Sequence, residues 1–481
     1  VNDIPLCFEP GSTAVLFDGG AGNDQVRLQG TSGDETASLG TLVGNRPGGI
    51  VTGAGFQLVA ENCEDVTFLG GGGNDWAEIV DTPGRDFFQG GPGNSVLTGN
   101  GLRFAAIDVA TVHAYSRWGG DDVAEIRDSE GKDLLVAEPR WSRITSSDGS
   151  YFLRVKGFKT VRAIAENGGV DTVQFRDSAG RDTFTVSPMN INDMASPAKA
   201  ELVGPNYRIS ALGFENVEAQ SSGLGQDEAF LNGTRGNERV EATIGYAYLQ
   251  AGGFAAKVNG FNQITVASMG GQDQALIQGT AGDDTLVSQF RDVVLSQGNA
   301  TLRIRGYKDV IVDGSSGGTD IAHLYDSEAD DLFVADPLQA VFASPGFNIK
   351  VKAFDYVHAY SLKGGRDVAQ LKGSDGDDTF VGWPEWARLS GSNYFLRVKF
   401  FEEIQVDPGA GFDSAILYDS PGADTLVATG TGLTLSGDFG SISYLYQLQN
   451  FEKVQAKSQG GNNTKSIDPA ALTYLLLTGS W

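Results

Sequence analysis

Residues Gly168 to Phe184 read GGVDTVQFRDSAGRDTF, a pattern of glycines, aspartates and alternating polarity. It returns in Gly317 to Phe333 (GGTDIAHLYDSEADDLF) and in Ala410 to Leu426 (AGFDSAILYDSPGADTL). Apolar and polar residues alternate after the first Asp, which is typical of a strand with one buried face. The Asp-Ser-x-Gly that follows favours a turn, because Asp caps backbone amides and Gly tolerates positive φ. Each stretch therefore predicts a strand, a turn and a second strand.

The Asp that follows the Gly pair, or its remnant, recurs along the whole chain. It marks nine units, at Asp24, Asp75, Asp122, Asp171, Asp227, Asp273, Asp320, Asp367 and Asp413. The back half of each unit adds an aromatic or β-branched strand, a corner such as Gly157-Phe158 and a last strand before the next Gly pair. Such periodicity indicates a repeat protein in which each unit packs on its neighbours.

A unit of about 47 residues with four or five short strands closes in one of two ways. It forms two turns of about 23 residues in a right-handed parallel β-helix, or one blade of a β-propeller. We expect the all-β parallel β-helix, because the two halves of the unit resemble each other: Ala124-x-Ile126 matches Leu153-x-Val155. The predicted organisation is one continuous solenoid over residues 19–459. Partial repeats flank it, at 1–18 as an N-terminal cap and at 460–481.

The charge balance restricts the class of partner. The chain has 35 Lys and Arg against 61 Asp and Glu, a net charge of −26. This argues against binding to nucleic acid or anionic membrane and favours cations, although the same charge also serves solubility. No run approaches the ~18 apolar residues of a spanning helix, so we expect no membrane insertion. Since the chain begins with Val1, we expect that a leader has been removed, although a fragment boundary would look the same.

The consensus GGxDxAxLxDSxGxDxF resembles the tandem repeats of very large secreted surface proteins of planctomycete-type bacteria. Ala335-Asp336-Pro337 and Ala137-Glu138-Pro139 match the short Pro corner that follows the second strand. The resemblance covers essentially the whole chain and is specific for architecture. It implies an extracellular role, at the cell surface or in a secreted filament, and says almost nothing about activity.

A narrower resemblance is to the calcium-binding nonapeptide of RTX proteins, GGxGxDxUx. It rests on Gly19 to Arg27 (GGAGNDQVR) and Gly70 to Trp76 (GGGGNDW), whereas later units keep only GGxD. The resemblance implies a calcium cofactor, and we expect Asp24 with Asp34, and Asp75 with Asp86, to supply the carboxylates. The alternative is that these Asp side chains only cap turn amides.

The two ends of the chain carry two further predictions. Cys7 and Cys63 are the only cysteines, and we expect a disulfide that staples the N-terminal cap, the alternative being two buried thiols. The C-terminal segment is apolar where solenoid ends are normally polar. We interpret it as an assembly surface for a head-to-tail homopolymer, the alternative being a folded-back cap. Its residues are Leu472, Tyr474, Leu475, Leu476, Leu477 and Trp481.

No catalytic arrangement is visible in the sequence. His113, His323 and His358 lie in separate strands, and Trp141 and Trp386 occupy equivalent corners, where they either stack on sugars or pack over the Pro corner. We therefore expect a non-enzymatic structural subunit of an extracellular fibre, sheath or surface layer. The second hypothesis is a calcium-stabilised adhesin that binds cell-surface glycans. The third is a polysaccharide-active β-helix enzyme, which would need basic residues beside a catalytic base in a few turns.

Overall fold

The computed structural model describes residues 13–42, 46–440 and 442–481, together with Pro5 and Cys7. Regular structure in these residues consists of short β-strands and one 3-10 helix. The sequence alternation produces the strands: in Val123–Arg127 the side chains of Ala124 and Ile126 are buried, while the residues between them face outward. The predicted all-β class is confirmed.

The first strands, in chain order, are β1 Thr13–Asp18, β2 Gln25–Gln29, β3 Thr36–Leu42, β4 Arg46–Gly53, β5 Phe56–Glu61, β6 Asp65–Leu69, β7 Trp76–Val80, β8 Asp86–Gly91, β9 Asn94–Gly99, β10 Leu102–Ile107, β11 Thr111–Tyr115, β12 Val123–Arg127, β13 Asp133–Glu138, β14 Trp141–Ser146, β15 Phe152–Lys156, β16 Thr160–Ile164, β17 Thr172–Arg176, β18 Thr183–Pro188, β19 Ala198–Gly204, β20 Tyr207–Phe214, β21 Asn216–Gln220 and β22 Glu228–Asn232.

The following elements are β23 Arg239–Thr243, β24 Tyr246–Gln250, β25 Ala255–Asn259, β26 Gln263–Ala267, β27 Gln274–Gln278, β28 Thr285–Gln289, β29 Asp292–Gln297, β30 Ala300–Arg305, β31 Asp309–Asp313, β32 Ile321–Tyr325, β33 Leu332–Asp336, β34 Gln339–Ser344, β35 Phe347–Lys352, β36 Tyr356–Tyr360, β37 Val368–Lys372, β38 Thr379–Trp383, β39 Trp386–Gly391, β40 Tyr394–Lys399, β41 Glu403–Asp407, β42 Ser414–Tyr418, β43 Thr425–Ala428, β44 Gly432–Phe439, β45 Ile442–Gln449, β46 Lys453–Lys457, β47 Thr464–Ile467, the 3-10 helix Pro469–Thr473 and β48 Leu475–Thr478.

The chain divides into two compact units. Unit 1 comprises residues 1–234 and 250–261, and unit 2 comprises residues 235–249 and 262–481. Within each unit the strands form two sheets, which we call 1A and 1B in unit 1 and 2A and 2B in unit 2. The buried side chains of the two sheets meet in a core. Phe175 of sheet 1A, for example, packs on Phe184 of sheet 1B with ring centroids 5.5 Å apart.

The sheets are built by a chain that winds from one sheet to the other and back. In sheet 1B, β12 pairs in parallel with β16, and β16 with β20; in sheet 1A, β13 pairs in parallel with β17, and β17 with β21. Sheets 2A and 2B repeat this, for example in β31 with β35 and β32 with β36. Stacked parallel turns define a β-solenoid, so the predicted β-helix is confirmed and the propeller alternative is excluded.

The content of one turn differs from the prediction. Three of the five strands of each sequence repeat form an antiparallel meander within one sheet, as β13, β14 and β15 do in sheet 1A. The next meander, β18 to β20, lies in sheet 1B. The signature Asp and the residue whose backbone N–H it accepts in the preceding turn are 35 to 45 residues apart, so the expected turn of about 23 residues is wrong. A turn is longer than expected because the three strands of the meander follow one another in the same sheet before the chain crosses to the opposite sheet.

The expected disulfide is not formed. Cys7 is exposed and Cys63 is buried, and both thiols are free. Cys63 lies in the turn after β5, where its Sγ contacts the carbonyl oxygen of Glu61 at 3.3 Å. Burial raises the pKa of the Cys63 thiol to about 11, so this thiol is protonated and unreactive at neutral pH. The alternative of a buried thiol therefore applies to Cys63.

Candidate metal sites

The Asp of the Gly-Asp signature ties one turn to the preceding turn. Asp122 Oδ1 accepts a hydrogen bond from the backbone N–H of Asp86 at 2.8 Å, and Asp367 Oδ1 accepts one from Asp331 at 2.8 Å. Equivalent bonds of 2.7 to 2.9 Å are accepted by Asp75, Asp171, Asp227, Asp273, Asp320 and Asp413. These carboxylates are buried, so the recurrent Asp has a structural role in every turn that makes this bond.

A second Asp closes the loop from which it comes. Asp331 accepts hydrogen bonds from the backbone N–H of Ser327 at 2.7 Å and from its hydroxyl at 3.1 Å. Asp86 accepts from Thr82 in the same way, at 3.3 and 2.8 Å. The spacing of Ser or Thr four residues before Asp in the repeat is therefore that of a capped turn.

A third Asp, directly before that Ser or Thr, receives donors from the next turn. Asp81 accepts hydrogen bonds from the backbone N–H of Arg117 at 2.8 Å and of Trp118 at 3.0 Å. Asp326 Oδ2 accepts from the N–H of Leu362 at 2.6 Å and of Lys363 at 2.5 Å. These side chains therefore also link two successive turns.

The three kinds of Asp converge. In the part of the chain that the structure describes, three groups of three carboxylates have ligand atoms within 4.8 Å of one another. Their members are Asp81, Asp86 and Asp122 in unit 1, Asp177, Asp182 and Asp227 also in unit 1, and Asp326, Asp331 and Asp367 in unit 2. Each group takes two carboxylates from one turn and the third from the next turn.

The carboxylates of these groups are poorly neutralised. Burial raises the pKa of Asp177 and of Asp367 to about 6, and it also raises the pKa values of Asp81 and Asp326. Asp326 is 0% exposed, and its Oδ1 is a buried atom without a hydrogen-bond partner. Converging buried oxygens with uncompensated charge are a donor set suited to a hard cation, so these clusters could hold a metal ion.

Of the four aspartates that the sequence predicted as calcium ligands, one lies in a cluster and three do not. Asp86 belongs to a cluster, together with Asp81 and Asp122. Asp24, Asp34 and Asp75 are not members of the clusters found in the described residues. Asp34 accepts a hydrogen bond from the backbone N–H of Asn74 at 2.7 Å, Asp75 accepts one from Glu35 at 2.8 Å, and Asp24 Oδ2 is buried without a partner.

The sequence did contain a signal for the clusters, but it was a combined one. Each cluster combines Asp-[Ser/Thr]-x-x-x-Asp in one turn with Gly-x-Asp in the next turn, as in Asp326, Asp331 and Asp367. The pattern is not sufficient, because Asp128, Asp133 and Asp171 also fit it and are not one of the clusters in the described residues. Where Gly replaces the first Asp, as at Gly279 and Gly373, only two of the three carboxylates are present. The nonapeptide pattern of the first units pointed to other residues.

The structure also brings together residues that the sequence analysis kept apart. His323 on β32 and His358 on β36 are register partners, and their rings stack with centroids 5.1 Å apart. The two histidines lie in separate strands, as expected, but one turn of the solenoid carries the chain back to the adjacent strand, so the rings meet. Trp141 and Trp386 lie at the starts of β14 and β39, half-buried on the outer faces of their sheets.

The predicted assembly residues belong to the last described turn. Leu475, Leu476 and Leu477 lie in β48, which pairs in parallel with β46. The Tyr474 hydroxyl donates to the carbonyl oxygens of Thr429 and Gly432, and the Trp481 indole donates to that of Thr478. Leu472 is 66% exposed and Leu476 is 53% exposed. The segment is thus folded onto the solenoid and still presents two leucines to solvent.

The fold and the clusters define an all-β solenoid protein whose turns are tied together by buried aspartates. The chain matches no protein-family model, no curated protein and no solved structure. Among the described residues, no helix has the length and apolar character that crossing a bilayer requires.

Proposed function

We propose that this protein is a non-enzymatic structural subunit of an extracellular surface layer, sheath or fibre, whose solenoid is stabilised by calcium ions at the Asp clusters. The observation that carries the proposal is the cluster of Asp326, Asp331 and Asp367. It joins two successive turns, is buried, and contains an unpartnered carboxylate oxygen. A cation there would link turns that otherwise repel each other electrostatically.

Calcium suits this donor set better than other common ions. Ca²⁺ takes six to eight oxygen ligands at flexible geometry, including carboxylates and backbone carbonyls, whereas Mg²⁺ demands a near-ideal octahedron and Zn²⁺ prefers nitrogen and sulfur. The clusters contain carboxylates and lie in loops rich in backbone oxygen. Calcium is also abundant outside cells, and the sequence resemblance implies an extracellular role for this protein.

Shared protons are the physical alternative to a cation, because a raised pKa also reports a carboxyl group that readily stays neutral. The substitution D326N separates the two. Asn keeps an oxygen acceptor but removes one negative charge from the cluster. In chelator, D326N relieves repulsion, so its melting temperature should equal or exceed that of the wild type. With millimolar calcium, the wild type should gain stability and D326N should gain clearly less.

The experiment is a set of thermal melts with chelator and with calcium, supported by isothermal titration of CaCl₂ into the protein. The matched control is D375N, since Asp375 is exposed in an equivalent loop and belongs to no cluster in the described residues. D375N should respond to calcium as the wild type does. An identical melting temperature of the wild type in calcium and in chelator would refute the calcium sites.

Self-association is the second part of the proposed function. It is supported by the exposed Leu472 and Leu476 in the last described turn and by Leu16 and Phe17 of β1, which are 63% and 40% exposed. Exposed leucine and phenylalanine next to strand edges favour pairing between copies. Contacts of this kind would join copies of the chain head to tail.

A further inference from the structure

Two surface platforms of the solenoid carry the same six side chains. In unit 1 they are His113, Arg154, Arg143, Tyr115, Lys156 and Trp141; in unit 2 they are His358, Arg397, Arg388, Tyr360, Lys399 and Trp386. We call these sets platform 1 and platform 2. Each is assembled from a strand with the sequence VHAY, a strand ending in LRVK and a meander strand that begins with Trp-x-Arg.

Strand register places the six side chains in two rows. In platform 2, His358 is the register partner of Arg397, and Arg397 that of Arg388. The second row runs from Tyr360 to Lys399 and on to Trp386. Platform 1 has the same two rows, for example Arg154 opposite Arg143. Since neighbouring strands lie about 4.8 Å apart, each row presents its groups at that interval.

The positive charges of the two facing arginines in each platform are not neutralised by a carboxylate. Like charges directly opposite each other across antiparallel strands are destabilising. Among the described residues, none of Arg143, Arg154, Arg388 and Arg397 forms an ion pair with a carboxylate. The Nε atoms of Arg154, Arg388 and Arg397 are buried without a hydrogen-bond partner, and so is His358 Nδ1. The terminal nitrogens meet only neutral partners: Arg154 donates to the Tyr115 hydroxyl at 2.8 Å and Arg397 to the Tyr360 hydroxyl at 3.2 Å. An anion seated over the row would compensate the charges.

The strand faces around platform 2 carry no acidic side chain, although the exposed Glu385 lies in the turn before Trp386. The outward positions of β32, β36, β40, β39, β38, β42 and β46 include Arg388, Arg397, Lys399, Lys453 and Lys457 but no Asp or Glu. In a chain with a net charge of −26, such a region is a marked segregation of charge. Platform 1 is less favourable, because Glu78 is the register partner of His113 and Glu138 that of Trp141.

A comparison of equivalent strands in different sequence repeats shows which residues packing requires and which it does not. The inward residues of the VHAY strand recur in other units, for example Val161 and Ala163, or Val217 and Ala219. The outward residues of these strands differ from His and Tyr: they are Arg162 and Ile164 in one repeat, and Glu218 and Gln220 in the next repeat. Packing explains why the inward pair recurs. It does not explain why all six outward side chains agree between platforms 1 and 2.

We propose that the two platforms bind an acidic polysaccharide, with its carboxylate or sulfate groups on the His-Arg-Arg row and its sugar rings along the Tyr-Lys-Trp row. Arginine forks match planar oxyanions by paired hydrogen bonds. A linear chain of pyranose rings advances per sugar by a distance comparable to the strand spacing, so successive acidic groups meet successive strands. This proposal does not depend on calcium or on self-association.

The ring geometry distinguishes a glycan from single-stranded nucleic acid. Proteins that bind single strands expose aromatic faces on which bases stack. On sheet 2B the faces are already occupied by neighbouring rings: Tyr325 stacks on Tyr360 with centroids 4.7 Å apart, and Trp383 on Tyr418 at 3.8 Å. Tyr360 therefore has a face covered by Tyr325, and its hydroxyl, which accepts a hydrogen bond from Arg397 at 3.2 Å, offers a polar edge that suits hydroxyl-rich sugars better than bases.

The test is calorimetric titration with oligogalacturonides too short to gel, which carry carboxylates, and with dextran sulfate, which carries sulfate esters. Neutral dextran and oligothymidylate are the negative probes. The variant R388Q/R397Q should weaken binding at platform 2 by about tenfold or more. The matched control, K350Q/K352Q, removes the same charge from β35 of sheet 2A and should bind as the wild type does. R143Q/R154Q should remove the weaker second site.

A folding defect is separable from loss of the site. Because R388Q/R397Q removes like charges that face each other, its melting temperature without ligand should not fall below that of the wild type. The proposal is overturned if neither acidic probe binds, if R388Q/R397Q binds like K350Q/K352Q, or if oligothymidylate binds equally well with the same arginine dependence. Salt-sensitive self-association that R388Q/R397Q abolishes would assign the face to a second copy of the chain instead.

Discussion

Single aspartates determine how this protein responds to pH. Burial raises the pKa values of Asp171, Asp320 and Asp367 to about 6, from an ordinary value of 3.8. Each of these groups also accepts a backbone N–H from the preceding turn. That hydrogen bond favours the charged form, but desolvation and neighbouring carboxylates outweigh it. The native state therefore holds these protons more tightly than the unfolded chain does.

The pH dependence follows from linkage. A group whose pKa is raised on folding contributes stability that is fully present below the unfolded pKa of 3.8 and is lost as the pH rises through about 6. In chelator, the melting temperature should therefore be higher near pH 5 than near pH 7.5. With saturating calcium the dependence should weaken, because protons then compete with the ion for the cluster carboxylates, among which is Asp367. Calorimetric melts across this range, with calcium and with chelator, check both expectations.

The same residues show how far the sequence could predict the site. The turn-capping role of Asp was readable, because Ser or Thr stands four residues before Asp331 and its equivalents. Clustering was not readable, because Asp367 is brought next to Asp331 by a turn whose length depends on the meander. Only Asp86 of the four expected ligands lies in a cluster, since the nonapeptide match describes one loop and a cluster needs two.

In several repeats the two glycines of the Gly pair have different roles. Gly365 has φ +102°, and a side chain there would run into the backbone carbonyl of Ala329 in the preceding turn. Gly364 has φ +117° but faces open space. The same contact recurs at Gly318 with Gly282 and at Gly169 with Gly131. The second Gly thus allows the loops of successive turns to stack closely, while the first only supplies a left-handed turn.

This difference predicts unequal effects of two neighbouring substitutions. G364A should cost about 1 kcal/mol, the strain of a non-Gly residue at positive φ. G365A should cost roughly 3 kcal/mol or more, because the loop must also move away from Ala329. Urea unfolding of both variants under the same calcium concentration measures the two values. Equal losses would contradict the stacking role of the second Gly.

The elements were more predictable than the way they connect. The alternation of residues such as Ala124 and Ile126 located the strands, and the Asp-Ser and Gly-Phe corners located the turns. The meander was not foreseen, because β14 has the same alternation as the strands that cross between the sheets. Whether such a strand turns back or crosses over depends on the short turn before it, between Glu138 and Trp141, which the pattern does not encode.

At the scale of the whole molecule, the net charge and the exposed leucines favour association between copies of the chain when calcium is bound. A net charge of −26 keeps copies of the chain apart at low salt, whereas calcium bound at the clusters would reduce this repulsion. The exposed Leu472 and Leu476 would then be free to make contacts between copies. Ion binding and assembly are thus expected to be coupled, with each promoting the other.

The prediction that tests this coupling is the variant L472S/L476S. Both side chains are exposed, so folding stability should change by less than about 0.5 kcal/mol, while association between copies should weaken. Light scattering against protein concentration, with calcium and with chelator, measures the effect. The control L224S/L338S removes two other exposed leucines, 60% and 78% accessible, and should associate as the wild type does. If the wild type stays monomeric at high concentration in calcium, or if L472S/L476S associates unchanged, these leucines are not an assembly surface. Since D326N should retain the leucines but weaken the calcium response, a loss of association in both variants would establish the coupling.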